Sequence, residues 1–187
     1  MITYEIPCLL GLEKLVADEI KRLGLADVRA ENGRVFFEGD ESTLAWANLN
    51  LRCAERVLIR LGAFRAKTFD QLFEGVKALP WEEFIPADGA FPVKGHSLDS
   101  ALHSIPDCQK IVKKAVVSRL SQKYGQGWFE ESGESFPLRV FLKNDEVTVG
   151  LDTTGESLHK RGYRKLVAKA PIAENLAAAL IMLTPWK

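Results

Sequence analysis

Residues 2–38 read ITYEIPCLLGLEKLVADEIKRLGLADVRAENGRVFFE, and their pattern decides the fold of the first part of the chain. Residues 2–7 alternate apolar and polar side chains, which predicts a strand. Residues 11–23 place apolar side chains at helical spacing, and the glycine that follows is expected to end the helix. Two short strands then flank Asn32-Gly33, a dipeptide typical of a two-residue hairpin turn. The stretch therefore predicts a strand, a helix and a hairpin, in this order.

A further helix and strand complete this first unit. Ser42 is the expected N-cap of the helix, because a serine hydroxyl can accept a hydrogen bond from the backbone of the first turn. Residues 56–64 alternate apolar side chains again, which predicts a fourth strand. The order βαββαβ is that of a ferredoxin-like domain, and we predict such a domain over residues 1–66.

The second half of the chain follows a different pattern. Thr68 is the expected N-cap of a helix that ends near Ala78. Residues 90–98 are predicted to form a strand. Asp107 is the expected N-cap of a long helix that ends at Tyr124, and a hairpin follows around the next Asn-Asp pair. Helices packed on a small sheet are expected here, so the chain is assigned to the α+β class.

The composition is that of a globular protein with unevenly distributed charge. The 187 residues carry 25 Lys and Arg against 25 Asp and Glu, but residues 135–187 hold eight cations against five acids. Three widely spaced cysteines argue against a disulfide framework or a zinc knuckle, and they fit a cytoplasmic protein. No apolar run reaches the length of a membrane span.

Cations also cluster within the long predicted helix. Lys110, Lys113 and Lys114 stand at i, i+3 and i+4, so they share one face, and Arg119 and Lys123 extend the charge. Such a face is typical of phosphate binding, because its cations displace counterions from RNA. The alternative is a solvated face whose cations lie near the negative end of the helix dipole.

The preceding strand adds a second candidate contact region. Lys94, His96 and Ser97 end this strand, and Gly95 between them allows the backbone to approach a ligand closely. Small polar residues beside a lysine suit contact with a sugar–phosphate chain. We therefore expect these three side chains to belong to an RNA-binding surface, although a structural role for the histidine is the alternative.

The segment LHKRGYRKLVAKAPIAENLAAALIMLTPW, residues 158–186, combines a basic first half with a predicted helix over 171–183. Its first half holds five cations and no carboxylate, namely Lys160, Arg161, Arg164, Lys165 and Lys169. Arginine can bind a phosphate through two parallel hydrogen bonds, and an exposed tyrosine can stack on an unpaired base. The candidates for RNA contact here are His159, Lys160, Arg161, Tyr163 and Arg164. The open alternatives are an inward-packed Tyr163, a buried His159 and an Arg161 that braces the domain junction through a carboxylate.

The same segment carries a family resemblance. LHKRGYR followed by APIAENLAAAL resembles the junction between a THUMP domain and a methyltransferase domain. It is similar to the bacterial large-subunit rRNA guanine methyltransferases, which were once labelled N6-adenine-specific DNA methylases. Upstream motifs occur in the order of that family, namely Gly11-Leu-Glu13, Glu31-Asn-Gly-Arg34, Lys67-Thr-Phe-Asp70 and Ile105-Pro-Asp-Cys-Gln-Lys110.

The resemblance implies a domain organisation and a function. It implies a THUMP RNA-binding domain over residues 67–166, then a linker over 167–187 that includes the first helix of a methyltransferase domain. The chain would be the N-terminal, substrate-recognition portion of an S-adenosylmethionine-dependent enzyme. Its partners would be structured RNA, which the resemblance implies to be large-subunit rRNA, and the catalytic domain of the parent protein.

Catalysis is not expected from these residues themselves. The resemblance implies an Asp-Pro-x-x-Gly-x-Gly loop for S-adenosylmethionine and an Asn-Pro-Pro-Tyr loop for the target amine, and the 187 residues contain neither. Gly125-Gln126-Gly127 begins like a dinucleotide loop but lacks a predicted strand before it. The alternatives left open are a protein-interaction module, or part of a tRNA- or DNA-modifying methyltransferase.

Overall fold

The computed structural model describes residues 1–165 and 171–186. It divides into two compact units, Met1–Ile59 with Thr153–Lys187, and Arg60–Asp152. The strands are β1 (Ile2–Pro7), β2 (Ala26–Glu31), β3 (Arg34–Gly39), β4 (Leu58–Arg65), β5 (Val93–Leu98), β6 (Leu138–Lys143) and β7 (Glu146–Asp152). The helices are α1 (Glu13–Arg22), α2 (Glu41–Asn50), α3 (Phe69–Lys77), α4 (Ile105–Tyr124) and α5 (Glu174–Met182).

The first unit confirms the predicted βαββαβ order. Its strands lie in the order β2-β3-β1-β4, and the pairs of β1 with β3, β1 with β4 and β2 with β3 are antiparallel. The fully buried side chains of Tyr4, Ile6, Val16, Ile20 and Phe37 come from β1, α1 and β3 and fill the core. This arrangement is the predicted ferredoxin-like fold.

The N-cap of α2 differs from the prediction, because Asp40 and not Ser42 caps this helix. The Asp40 carboxylate accepts from the backbone N–H of Thr43 at 2.9 Å, and the Thr43 hydroxyl accepts from the Asp40 N–H at 3.1 Å. Ser42 donates its hydroxyl hydrogen to Asp40 at 2.6 Å. These hydrogen bonds, with the one from Ser42 the largest cause, lower the pKa of Asp40 to about 2. The reciprocal pair makes a capping box, which explains why Asp40 and not Ser42, two residues later, is the N-cap.

The second unit consists of a small sheet and two helices packed beside each other. Its strands follow the order β4-β7-β6-β5, in which β5 runs parallel to β6 and β6 runs antiparallel to β7. Asn144 and Asp145 both have positive φ, 52° and 65°, as the predicted two-residue hairpin turn requires. The core includes fully buried side chains from α3, α4, β6 and the short helical turn Trp81–Glu83.

Two predicted boundaries in this unit were wrong, and one was confirmed. Thr68 caps α3 as expected, accepting from the N–H of Gln71 at 3.2 Å. The long helix α4 starts at Ile105 with Ser104 as its N-cap, so Asp107 lies inside the first turn instead of capping it. The adjacent proline at the helix start has the φ angle that a first turn needs, which the prediction overlooked. Strand β5 starts at Val93, later than the predicted residue 90.

Helix α5 packs within the first unit through its small and flexible side chains. Ala179 is fully buried, and the Met182 sulfur lies 3.4 Å from the Cys53 sulfur. Leu180 and Leu183 are 49 % and 64 % exposed, whereas Leu176 is half-buried. The helix begins at Glu174, three residues after the predicted start. Lys169 and the first part of the predicted linker fall on residues 166–170, which lie outside the described residues.

The predicted domain bounds, 1–66, 67–166 and 167–187, stay a prediction. Over residues 1–165 and 171–186, no helix is long and apolar enough to cross a membrane.

Candidate nucleic-acid interface

The three candidate RNA-contact residues on strand β5, Lys94, His96 and Ser97, lie on two opposite sides of the strand. A Cβ at Gly95 would lie 3.3 Å from Cγ of Gln109, so this side of the strand faces α4. Ser97 shares that side and donates its hydroxyl hydrogen to the carbonyl of Leu102 at 2.7 Å. Lys94 and His96 are exposed on the opposite side. Only these two of the three candidates therefore share a surface.

The His96 ring has an aromatic partner on the neighbouring strand. Its imidazole is parallel to the Phe141 ring, with ring centroids 5.5 Å apart and an angle of 4° between the planes. The two residues are register partners of β5 and β6. Phe141 was not among the predicted site residues, because nothing in the sequence fixes the pairing of these parallel strands.

The three candidate lysines on α4 differ in their exposure and contacts. Lys110 is exposed and lies 3.7 Å from the Asp107 carboxylate one turn earlier. Lys114 is also exposed, with its ammonium 5.9 Å from the centre of the Phe73 ring. Both heads can reach a ligand in solvent, since exposed ion pairs of this kind contribute little to stability.

Lys113 is instead held by the protein. Its ammonium donates to the Phe91 carbonyl at 3.1 Å, lies 3.7 Å from the centre of the Phe91 ring and pairs with the Glu131 carboxylate. The side chain is 33 % exposed. Glu131 also accepts from the Phe91 backbone N–H at 3.0 Å, so this lysine ties α4 to the loop that follows it. The geometry favours a structural role for Lys113.

Arg119, which the sequence placed in the same basic face, is occupied as well. Its guanidinium binds both oxygens of Glu82, with Nε to Oε2 at 2.9 Å and Nη2 to Oε1. The hydrogen bond from Arg119 is the largest cause that lowers the pKa of Glu82 to about 2. The pair ties α4 to the turn at Trp81–Glu83.

This pair predicts an acid-dependent loss of stability. The pKa of Glu82 is lowered in the folded state, so the contribution of the charged pair is fully present above the ordinary value of 4.5 and is lost as the pH falls toward about 2. We expect the difference in unfolding free energy between the unchanged protein and Glu82→Gln to shrink over that interval. Urea unfolding at a series of pH values measures it, and a difference that stays constant from pH 5 to pH 2.5 would contradict the assignment.

Arg161 binds four backbone carbonyls and no carboxylate. Its Nε donates to Leu158 at 2.9 Å and Nη1 to Leu49 at 3.0 Å, while Nη2 donates to Asn48 at 2.8 Å and Leu51 at 2.9 Å. Three of these carbonyls lie at the C-terminus of α2, where carbonyls have no partner inside the helix and the dipole attracts a cation. The guanidinium therefore braces the C-terminus of α2 through carbonyls, and the expected carboxylate is not among its partners in the described residues.

Arg164 makes a similar local connection. Its Nε lies 3.3 Å from the Glu174 carboxylate, and Nη2 donates to the Ile172 carbonyl at 2.8 Å. These contacts lie at the start of α5. They compete with phosphate binding, although the pair is partly exposed and can exchange its partner.

The remaining candidates for RNA contact in residues 158–165 differ in how exposed their side chains are. Tyr163 is 79 % exposed and follows Gly162, whose φ of 78° turns the chain. Lys160 and Lys165 are exposed too. His159 is half-buried, and its Nδ1 has no hydrogen-bond partner among the described residues. Tyr163 is thus available for stacking, and the inward-packed alternative does not apply to it.

Two of the motifs that carried the family resemblance meet in the first unit. The Glu13 carboxylate accepts from the Gly33 N–H and from the Gly11 N–H, each at 2.8 Å. The Gly33 hydrogen bond is the largest cause that lowers the pKa of Glu13. These motifs therefore hold the β2–β3 hairpin against the start of α1, which is a structural role.

The described residues offer no metal centre and no cradle for a nucleotide cofactor. No group of three His, Cys, Asp or Glu side chains in residues 1–165 and 171–186 is placed to hold a metal ion. Gly125 and Gly127 follow the C-terminus of α4, not a strand, so they do not form the strand–turn–helix cradle of a dinucleotide site. The Gly125–Gly127 loop therefore does not form an S-adenosylmethionine site of that type.

Comparison with known proteins assigns both halves of the chain. Residues 3–58 match the RlmL ferredoxin-like domain, and residues 66–152 match the THUMP domain. A Bacillus subtilis (strain 168) protein named "Putative RNA methyltransferase YpsC" is 48 % identical over 179 residues, 95 % of this chain and 46 % of that protein. The ribosomal RNA large subunit methyltransferase K/L of Syntrophotalea carbinolica is 35 % identical over 94 % of this chain and 25 % of its own length.

A solved structure agrees with these relatives. The crystal structure of SMU.472 complexed with SAH is 42 % identical with a TM-score of 0.87, covering 99 % of this chain and 49 % of that one. The chain thus spans about half or less of the length of each of these three proteins. The chain therefore joins an RlmL ferredoxin-like domain to a THUMP domain, and homologues of it are named as RNA methyltransferases.

Proposed function

We propose that this chain is the substrate-recognition module of an S-adenosylmethionine-dependent RNA methyltransferase that modifies a guanine of large-subunit rRNA. It binds structured RNA and presents the target nucleotide to a catalytic domain elsewhere in the parent protein. The observation that carries this proposal is the THUMP match together with exposed lysines on α4 of that domain. Contacts between these lysines and RNA phosphates would position the RNA without reading its sequence.

Two groups of exposed side chains supply the proposed contacts. The first, in the THUMP domain, consists of Lys94, His96, Lys110 and Lys114. The second, in the first unit, consists of Lys160, Tyr163 and Lys165. Each lysine can displace a counterion from the phosphate backbone. Ser97, Lys113, His159, Arg161 and Arg164 stay predicted contacts, but their recorded bonds or burial make them weaker candidates.

The ribosomal substrate and the methyl donor are supported by relatives. One homologue is named as a large-subunit rRNA methyltransferase, and a structurally similar protein was solved with SAH, the product of methyl transfer from S-adenosylmethionine. Methyl transfer itself is proposed for the parent protein. The residues of this chain bind and orient RNA in that scheme, and a cytoplasmic location follows from an rRNA substrate.

The charge of α4 provides the test. Lys110→Glu combined with Lys114→Glu is expected to weaken binding to an rRNA fragment and to reduce the slope of log K against log salt by about 2, because each lysine accounts for about one phosphate contact. Fluorescence anisotropy titrations at several salt concentrations measure both quantities. These two lysines are preferable to Lys113, since reversal of Lys113 would place a carboxylate against Glu131.

A matched control is available on α1. Lys14→Glu with Lys21→Glu makes the same change in net charge at two exposed positions of a helix outside the THUMP domain. We expect its salt slope to stay close to that of the unchanged protein. Equal slopes for all three proteins would refute the α4 contact, and equal affinity for RNA and duplex DNA would favour a DNA substrate.

Exposed apolar side chains at the end of the chain support a second candidate function. Ile172, Leu180, Ile181, Leu183 and Trp186 are each about half or more exposed. Large apolar side chains left exposed so close together in sequence are consistent with a protein contact. We propose protein docking at α5 as the alternative. Its signature would be partner binding that neither salt nor the Lys110 and Lys114 reversals affect.

A further inference from the structure

The free edge of the THUMP sheet carries an aromatic stack that faces away from the helices. Strand β5 is the last in the order β4-β7-β6-β5, and Lys94, His96 and Leu98 are all exposed on one side of it. Phe141 on β6 covers one face of the His96 imidazole in a parallel arrangement at 5.5 Å. Since β6 lies on one side of β5, the other face of the imidazole is directed past the edge of the sheet.

We propose that His96 is a stacking platform for an unpaired base of the bound RNA. The base would extend the Phe141–His96 stack by one ring at the sheet edge, where its sugar and phosphate remain in solvent. This inference rests on the proposed RNA-binding function. It names the part of the RNA that this surface binds, which is a single-stranded nucleotide next to a base-paired stem.

The geometry of the rings supports a stack more than a hydrogen bond. The angle of 4° between the planes means that the His96 imidazole lies parallel to the Phe141 ring, so a base stacked on its outer face would continue the same stack. Among the residues that the structure describes, no other ring is recorded on His96. Aromatic platforms on a sheet are a common way for proteins to hold single-stranded bases, and they tolerate any base because each has a flat face.

The neighbouring charges suit a nucleotide in this position. Lys94 lies two residues before His96 on the same side of β5, within reach of the phosphate of a stacked nucleotide. Lys143 on β6 is the register partner of Leu98, so it adds a cation to this side of the sheet. Arg139 is less available, because its guanidinium pairs with the buried Asp152 at 3.0 Å.

The test compares two RNA hairpins with the full chain. One hairpin has a single-stranded 3′ overhang that contains 2-aminopurine, and the other is the same stem without an overhang. Stacking on His96 is expected to quench the 2-aminopurine fluorescence. His96→Ala is expected to weaken binding of the overhang hairpin by about 5- to 100-fold and to abolish the quenching, while binding of the blunt hairpin changes little.

Two further variants separate stacking from charge and from loss of fold. His96→Phe keeps a flat ring and should retain both affinity and quenching. His103→Ala removes another exposed histidine in the same unit and should behave like the unchanged protein. If His96→Ala binds the overhang hairpin normally, or His96→Phe binds as weakly as His96→Ala, the stacking proposal is wrong and RNA binding stands. If the unchanged chain binds neither hairpin, the proposed function fails as well.

Discussion

Arg161→Ala is expected to lower the free energy of unfolding by about 2–4 kcal/mol, one of the two largest effects among the changes considered for this chain. The guanidinium donates to the carbonyls of Leu158, Leu49, Asn48 and Leu51. Alanine removes this donor from all four carbonyls, three of which lie at the C-terminus of α2, and it removes a cation from the negative end of the helix dipole. Urea unfolding followed by circular dichroism measures the change.

Two companion variants test the cause. Arg161→Lys keeps the charge but replaces a planar group of five donors with a single ammonium, so it should recover only part of the loss. Lys160→Ala, at the exposed neighbouring position, should change the unfolding free energy by less than about 0.5 kcal/mol. A full recovery by lysine would show that charge alone matters and that the four-carbonyl geometry does not.

The Arg161→Ala variant also distinguishes a structural role of Arg161 from a role in RNA binding. If Arg161 braces α2, Arg161→Ala should lose stability while the salt slope of RNA binding, measured well below the unfolding transition, stays unchanged. A normal stability combined with a salt slope reduced by about 1 would instead assign the side chain to a phosphate. Arg161 was a candidate for both roles from the sequence, and these two measurements distinguish them.

Local patterns predicted the elements because each depends on residues close in sequence. The alternation in β1, the helical spacing in α1 and the Asn32-Gly33 turn all correspond to elements of the structure. Thr68 was correctly placed as a cap for the same reason. Asp40 was missed because Asp40 and Ser42 are both residue types that cap helices, and the choice depends on the reciprocal bond with Thr43.

The roles of the cations could not be predicted, because they depend on distant contacts. Lys110, Lys113 and Lys114 have equivalent spacing on α4, yet only Lys113 meets the ring of Phe91 and the carboxylate of Glu131. Arg161 reaches carbonyls more than a hundred residues earlier in the chain. A basic sequence therefore identified the region of interest but not which side chains remain available to a ligand.

Glu19→Ala is expected to have a similarly large effect, a loss of about 2–4 kcal/mol in the free energy of unfolding. The Glu19 side chain is 3 % exposed, and its carboxylate accepts from the Arg52 N–H at 3.1 Å, the Arg52 Nε at 2.8 Å and the Cys53 N–H at 3.1 Å. Alanine leaves two backbone donors without their acceptor just after α2. Arg52 itself is mostly exposed and can be hydrated, which keeps the loss below that of a fully buried pair.

The consequence should extend to α5, because Cys53 is also the residue that contacts Met182. Hydrogen exchange is expected to accelerate at residues 52–53 and along α5 in Glu19→Ala, while α3 and α4 in the other unit keep their protection. Glu19→Gln should lose less, since its amide oxygen still accepts one of the N–H groups while its NH₂ faces the others. Asp18→Ala, at the adjacent position without a recorded ion pair among the described residues, serves as the control and should stay within about 0.5 kcal/mol. An unchanged rate of hydrogen exchange along α5 would mean that the packing of this helix does not depend on the Glu19 carboxylate.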